Sequence, residues 1–125
     1  MNILLWLVQI LLACAFGMAG VMKATQPVDV LAANGIAWAP QLPLVLVRFI
    51  GISEFLGAVG LILPALTKIK PFLTPLAALG LLTIMILAMG FHVSRGEAGA
   101  LPFNIVLGGL AAFVAWGRTS KAPIR

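Results

Sequence analysis

Glu54 has the most chemistry to offer in this chain, because nothing around it is charged: its neighbours are Ser53, Phe55 and Leu56 within a long apolar run. It lies near the middle of that run. A charge at the centre of a bilayer costs at least about 2.5–3.5 kcal/mol, so such an acid must be protonated, paired or hydrated. Two roles fit: a buried ion pair that fixes helix register, or a ligand or proton site, the usual meaning of an intramembrane acid. Arg48 stands six residues earlier, about 240° around a helix and so off the face of Glu54. Arg48 and Lys23 are therefore expected to extend their charges to the nearest interface. His92 adds an imidazole, a side chain suited to carrying a proton, and Asn104 adds an amide that both donates and accepts hydrogen bonds.

Other chemistries lack their parts. The single cysteine, Cys14, sits in an apolar run and has no partner in the chain for a disulfide or a thiolate cage. One histidine cannot supply two axial haem ligands, and no His, Cys or carboxylate spacing describes a metal site. There is no nucleophile elbow, phosphate loop or dinucleotide fingerprint. No self-contained catalytic or redox centre is found, and whether the chain is an enzyme stays open.

The elements that position these residues follow from composition. The 125 residues are 62% hydrophobic and 9% charged, with a mean hydropathy of +1.17. Soluble domains carry about 25% charged residues, so this chain has too little polar surface to cover a globule in water. The net charge is +5, but the basic residues are dispersed and form no patch interleaved with aromatics, which argues against nucleic acid as a partner. A lipid bilayer is the partner the composition requires.

Crossing the hydrocarbon takes about 20 apolar residues. Residues 1–22, 71–91 and 98–117 hold no charge, and 42–67 holds only Arg48 and Glu54. The expected fold is therefore all-α, an integral membrane four-helix bundle forming one transmembrane domain over residues 1–125. Its helices are expected near 2–22, 43–64, 72–93 and 101–117, with 118–125 as a short basic cytoplasmic tail. The first span lacks a basic leader and its apolar run is too long for a typical signal peptide, so it reads as a retained helix. Pro27 to Ala33 reads as a short amphipathic helix stopped by Gly35, followed by Ile36 and Trp38 on a loop that lies on the membrane. Leu63-Pro64 should end the second span, Lys68 to Pro71 should form a tight turn, and Arg95 to Gly99 the last one.

Small residues at helical spacing mark the packing faces: Ala13, Gly17 and Gly20; Gly51, Gly57 and Gly60 with Glu54; Gly108, Ala111 and Ala115 with Asn104. Glu54 and Asn104 should therefore face protein rather than lipid. Four spans place Lys68, Lys70, Arg118, Lys121 and Arg125 on one side against Lys23, Arg48 and Arg95 on the other. Five against three puts both termini in the cytoplasm, with Trp6 and Trp116 at the inner interface and Trp38 at the outer. Lys23, Arg48, Glu54, His92 and Asn104 then all fall in the outer half of the bundle. This convergence from four helices is the candidate ligand-binding set.

The chain resembles the DoxX-like family of small four-helix membrane proteins over nearly its whole length. The resemblance rests on an opening helix that carries Gln9-Ile10 and closes with Gly20-Val21-Met22-Lys23, followed by Gln26-Pro27 and Ala32-Ala33-Asn34-Gly35. It continues through residues 47–57, Leu61 to Pro64, Pro75 to Gly80, His92 with Arg95-Gly96-Glu97, and Asn104. It implies a bacterial inner-membrane protein with relatives in quinone-linked sulfur oxidation, in membrane redox complexes and among assembly factors. Fold transfers through such a resemblance better than function does.

Three readings follow. The first is an accessory subunit of a membrane oxidoreductase that binds a quinone or similar lipophile. Glu54 and His92 would hold the polar head, and Arg48 or Lys23 would stabilise negative charge. The second is a non-enzymatic scaffold or assembly factor whose polar residues are structural. The third is a proton or small-solute conduit, which would require a homo-oligomer.

Overall fold

The computed structural model describes residues 1–33, 39–96 and 101–123, apart from the side chains of Gln41 and Lys121. Among them every regular element is helical. Helix α1 spans Asn2–Thr25, three residues beyond the expected end at Met22. Nothing in Lys23-Ala24-Thr25 breaks a helix. The stop comes at Gln26, whose extended backbone (φ −83°, ψ 149°) is what a following proline enforces. Helix α2, Val28–Ala33, starts just after Pro27, whose carbonyl accepts the Leu31 N–H at 3.0 Å. Asp29 sits in its first turn, at the positive end of the helix. Gly35, Ile36 and Trp38 lie outside the described residues, as do Glu97, Ala98, Gly99 and Arg125.

After a short 3-10 turn, Ala39–Gln41, helix α3 runs over Leu44–Thr67 and α4 over Leu73–Ser94. The expected stop at Pro64 does not occur. Pro64 lies inside α3 and leaves the Gly60 carbonyl without its usual N–H donor. The Thr74 hydroxyl of α4 donates to that carbonyl at 3.0 Å, so the helix continues for one more turn. It ends at Lys68 in a left-handed conformation (φ 60°). Helix α5, Leu101–Trp116, continues as a π-turn over Gly117–Lys121, closed by the Ala122 N–H on the Gly117 carbonyl at 2.8 Å. Residues 118–121 therefore extend the last helix instead of beginning a solvated tail.

The four long helices are each long and apolar enough to cross a membrane. α1 packs most extensively on α3 and α4 on α5; α3 also joins α4, and α1 meets α5 along a shorter line. Leu12, Phe16, Leu61, Leu81, Ala111 and Val114 form the buried centre. A second, smaller core of Leu31, Ala39 and Val47 ties α2 and the 3-10 turn to α3. Large side chains such as Ile3, Val45, Phe49, Leu66 and Phe103 point outward, as they must where lipid replaces water. The protein is an all-α four-helix membrane bundle.

Candidate functional site

The site is built where the end of α1 crosses the start of α3. At that crossing no side chain fits between the backbones. A Cβ on Gly20 would stand 2.6 Å from the Gly51 carbonyl oxygen, and one on Gly51 would stand 2.5 Å from the Ala24 nitrogen. Such an approach needs glycine on both helices. One turn further on, Lys23 of α1 lies against Glu54 of α3. Lys23 Nζ donates to Glu54 Oε1 at 2.6 Å, with the two side chains 13% and 2% exposed. A charged pair so enclosed needs close geometry to offset its desolvation.

Arg48 completes the crossing. Its Nη1 donates to the Lys23 carbonyl at 2.9 Å and to the Gln26 carbonyl at 2.5 Å. These are carbonyls at the α1 terminus, where the helix itself supplies no donors. The Arg48 and Lys23 side chains both turn to partners within the protein. Arg48 caps α1, and Lys23 neutralises Glu54. The 240° separation of Arg48 and Glu54 on α3, estimated as about 6 × 100° less one turn, is bridged by one residue of α1. Lys23 offers its ammonium to the acid and its carbonyl to the guanidinium.

The other two candidates stand apart from this contact set. His92 is half-buried near the end of α4, edge-on to Phe91 with ring centroids 5.6 Å apart. Phe91 also carries the Arg95 guanidinium 5.2 Å above its ring centre. Asn104 is buried on α5, and its Nδ2 has no hydrogen-bond partner among the described residues.

A second polar cluster lies at the opposite end of the bundle. Gln9 Nε2 donates to the Leu61 carbonyl at 2.6 Å, and Arg118 Nε donates to Gln9 Oε1 at 2.6 Å. Arg118 Nη1 donates to Asn2 Oδ1 at 2.7 Å and to the Ala122 carbonyl at 2.8 Å. The sequence carried a signal for Gln9. It continues the buried stripe Leu5, Leu12, Phe16 and Gly20 at helical spacing, so a polar residue there had to face protein. Arg118 gave no such signal, because it follows the last apolar run and reads as tail. Between α3 and α4 an apolar groove of about 920 Å³ opens along Phe49, Ser53, Leu56, Leu76 and Ile84.

This arrangement holds charge in place; among the described residues no group of three or more His, Cys, Asp or Glu could hold a metal ion. No curated protein and no solved structure matches the chain. A family model described as the DoxX-like family matches residues 7–114. That match takes in the crossing of α1 and α3 and nearly all of the four spans, and the chain belongs to the DoxX-like family.

Proposed function

We propose that this protein is a multi-pass protein of the bacterial inner membrane, with both termini cytoplasmic, that serves a membrane redox system as a non-catalytic accessory or assembly subunit. The observation that supports this reading is the closure of the charged site. Glu54 is paired with Lys23 and 2% exposed, and Arg48 is bound to backbone carbonyls. Groups used in this way fix how α1 meets α3. A catalytic acid would instead need access to a substrate.

A second reading is favoured by the groove between α3 and α4. Its apolar walls and length suit a quinone-class lipophile, and Ser53 in its wall precedes Glu54 in sequence. Native mass spectrometry in mild detergent, wild type beside Glu54→Gln, separates the two. The scaffold reading expects wild-type protein free of any quinone-sized mass and a variant that is less stable or assembles differently. A quinone-sized mass on wild type that disappears from a folded Glu54→Gln protein would overturn it in favour of the second reading.

A further inference from the structure

Arg118 is 3% exposed, yet no carboxylate is among its partners in the described residues. Its three hydrogen bonds go to Gln9, Asn2 and the Ala122 carbonyl, all neutral. Its Nη2 is buried and has no acceptor among the described residues. The contrast with the other end of the bundle is sharp, since there Lys23 meets an acid. Gln26 Oε1 and Asn104 Nδ2 are also unpartnered, but they belong to neutral amides. Arg118 carries a full charge. The carbonyl end of α5 offsets only about half a charge, which leaves a buried cation with an unused donor.

Local structure holds this guanidinium in position. It sits in the π-turn Gly117–Lys121 that closes α5, as wide turns commonly do at helix ends. Gly117 presses on Leu5, where an added Cβ would meet a side-chain carbon at 2.5 Å. That contact brings the turn against α1. The Trp6 ring lies 5.6 Å from the guanidinium carbon, and Trp116 is exposed nearby in the chain. Tryptophans of this kind mark headgroup depth. The same end of the bundle presents Lys68 and Lys70, both exposed, on the turn between α3 and α4.

We infer that Arg118, held by Gln9 and covered by Asn2, is a binding site for the phosphate of an anionic membrane phospholipid. A planar guanidinium suits phosphate oxygens in a way that a point charge does not. Gln9 holds the inner edge through Nε. Asn2, which is exposed, covers Nη1 at the outer edge; on binding its amide gives way, and one phosphate accepts from both Nη1 and the unused Nη2. The headgroup depth selects a lipid over a soluble anion, and the flanking lysines raise the local concentration of anionic lipid.

The test uses the full chain, purified in detergent and stripped of lipid. It is titrated separately with phosphatidylglycerol, phosphatidylcholine and inorganic phosphate, with bound lipid read by native mass spectrometry and stability by thermal unfolding. The expected result is about tenfold tighter binding of phosphatidylglycerol than of phosphatidylcholine, with a raised unfolding midpoint. Arg118→Gln should erase the preference, and Arg118→Lys, which keeps the charge without the fork, should retain only part of it. Lys68→Gln with Lys70→Gln should keep most of it.

Equal binding of the two lipids by wild type overturns the proposal. So does a preference that survives in Arg118→Gln, or one that vanishes with the lysine pair alone. Stabilisation by inorganic phosphate equal to that by the anionic lipid would overturn the lipid assignment. Should Arg118→Gln fail to fold, the wild-type comparison and the lysine pair still decide the matter.

Discussion

Lys23 joins two interactions that lie on different faces of α3, one through its ammonium and one through its backbone carbonyl, and a substitution removes only the first. Replacing Glu54 by Gln leaves the Lys23 ammonium enclosed without its counter-charge. Breaking one side of a buried pair costs about 3 kcal/mol or more. The double change Glu54→Gln with Lys23→Met removes both charges and should restore a large part of that loss. Reversible unfolding in mixed micelles, run as a double-mutant cycle, measures the coupling. Additive losses would mean that the 2.6 Å contact contributes nothing to stability. Glu54 was legible in the sequence because an acid in an apolar run has few options. Its partner was not, because Lys23 lies 31 positions away and only the Gly20–Gly51 crossing brings the two together. His92 and Asn104 looked equally convergent at the level of helix ends. Which half of the bundle a residue occupies follows from its position in a span, but which neighbour it touches depends on helix rotation.

Helix packing here rests on a few positions where backbone meets backbone, and these give contrasting expectations for one chemical change. Gly51→Ala places a methyl group 2.5 Å from the Ala24 nitrogen, so the helices must separate. Overpacking of this kind costs about 2 kcal/mol, and it should also loosen the bond from Arg48 to α1. Gly80→Ala meets nothing within 4 Å and should leave stability unchanged or slightly raised. Thermal unfolding of the two variants side by side checks the contrast, and equal effects would contradict the close crossing. The continuation of α3 past Pro64 gives a second expectation. Thr74→Val leaves the Gly60 carbonyl without a donor and should cost about 1 kcal/mol. Pro64→Ala restores a backbone N–H for that carbonyl and should remove most of the penalty of Thr74→Val, as read from the same unfolding curves. Full penalties in both backgrounds would show that the hydroxyl acts elsewhere. The number and type of helices were legible from apolar run length alone. Their ends were misplaced wherever tertiary contacts supply a missing partner: Arg48 at the end of α1, Thr74 beside Pro64 and Gln9 on Arg118.

At the scale of the whole molecule, the structure changes how the charges count towards orientation. The sequence set Lys68, Lys70, Arg118, Lys121 and Arg125 against Lys23, Arg48 and Arg95, a bias of five to three. Three of these are taken up within the bundle: Arg118 by Gln9 and Asn2, Lys23 by Glu54, and Arg48 by the end of α1. Among the charges whose side chains are described, this leaves Lys68 and Lys70 on one side and Arg95, which lies over Phe91, on the other. Positive charges near helix ends hold their side in the cytoplasm, so the exposed Lys68–Lys70 turn is the part of the structure on which the proposed orientation leans most. A reporter that is active only in the cytoplasm, fused after Arg125, should be active in intact cells. The Lys68–Lys70 turn carries two exposed charges on the inner side, so Lys68→Glu with Lys70→Glu should divide the population between orientations. Lys23→Gln should leave orientation intact while it weakens the fold, because that charge is spent on Glu54. A reporter silent in the wild-type fusion would reverse the proposed orientation. A reporter silenced by Lys23→Gln alone would mean that Lys23 helps set topology before it pairs with Glu54.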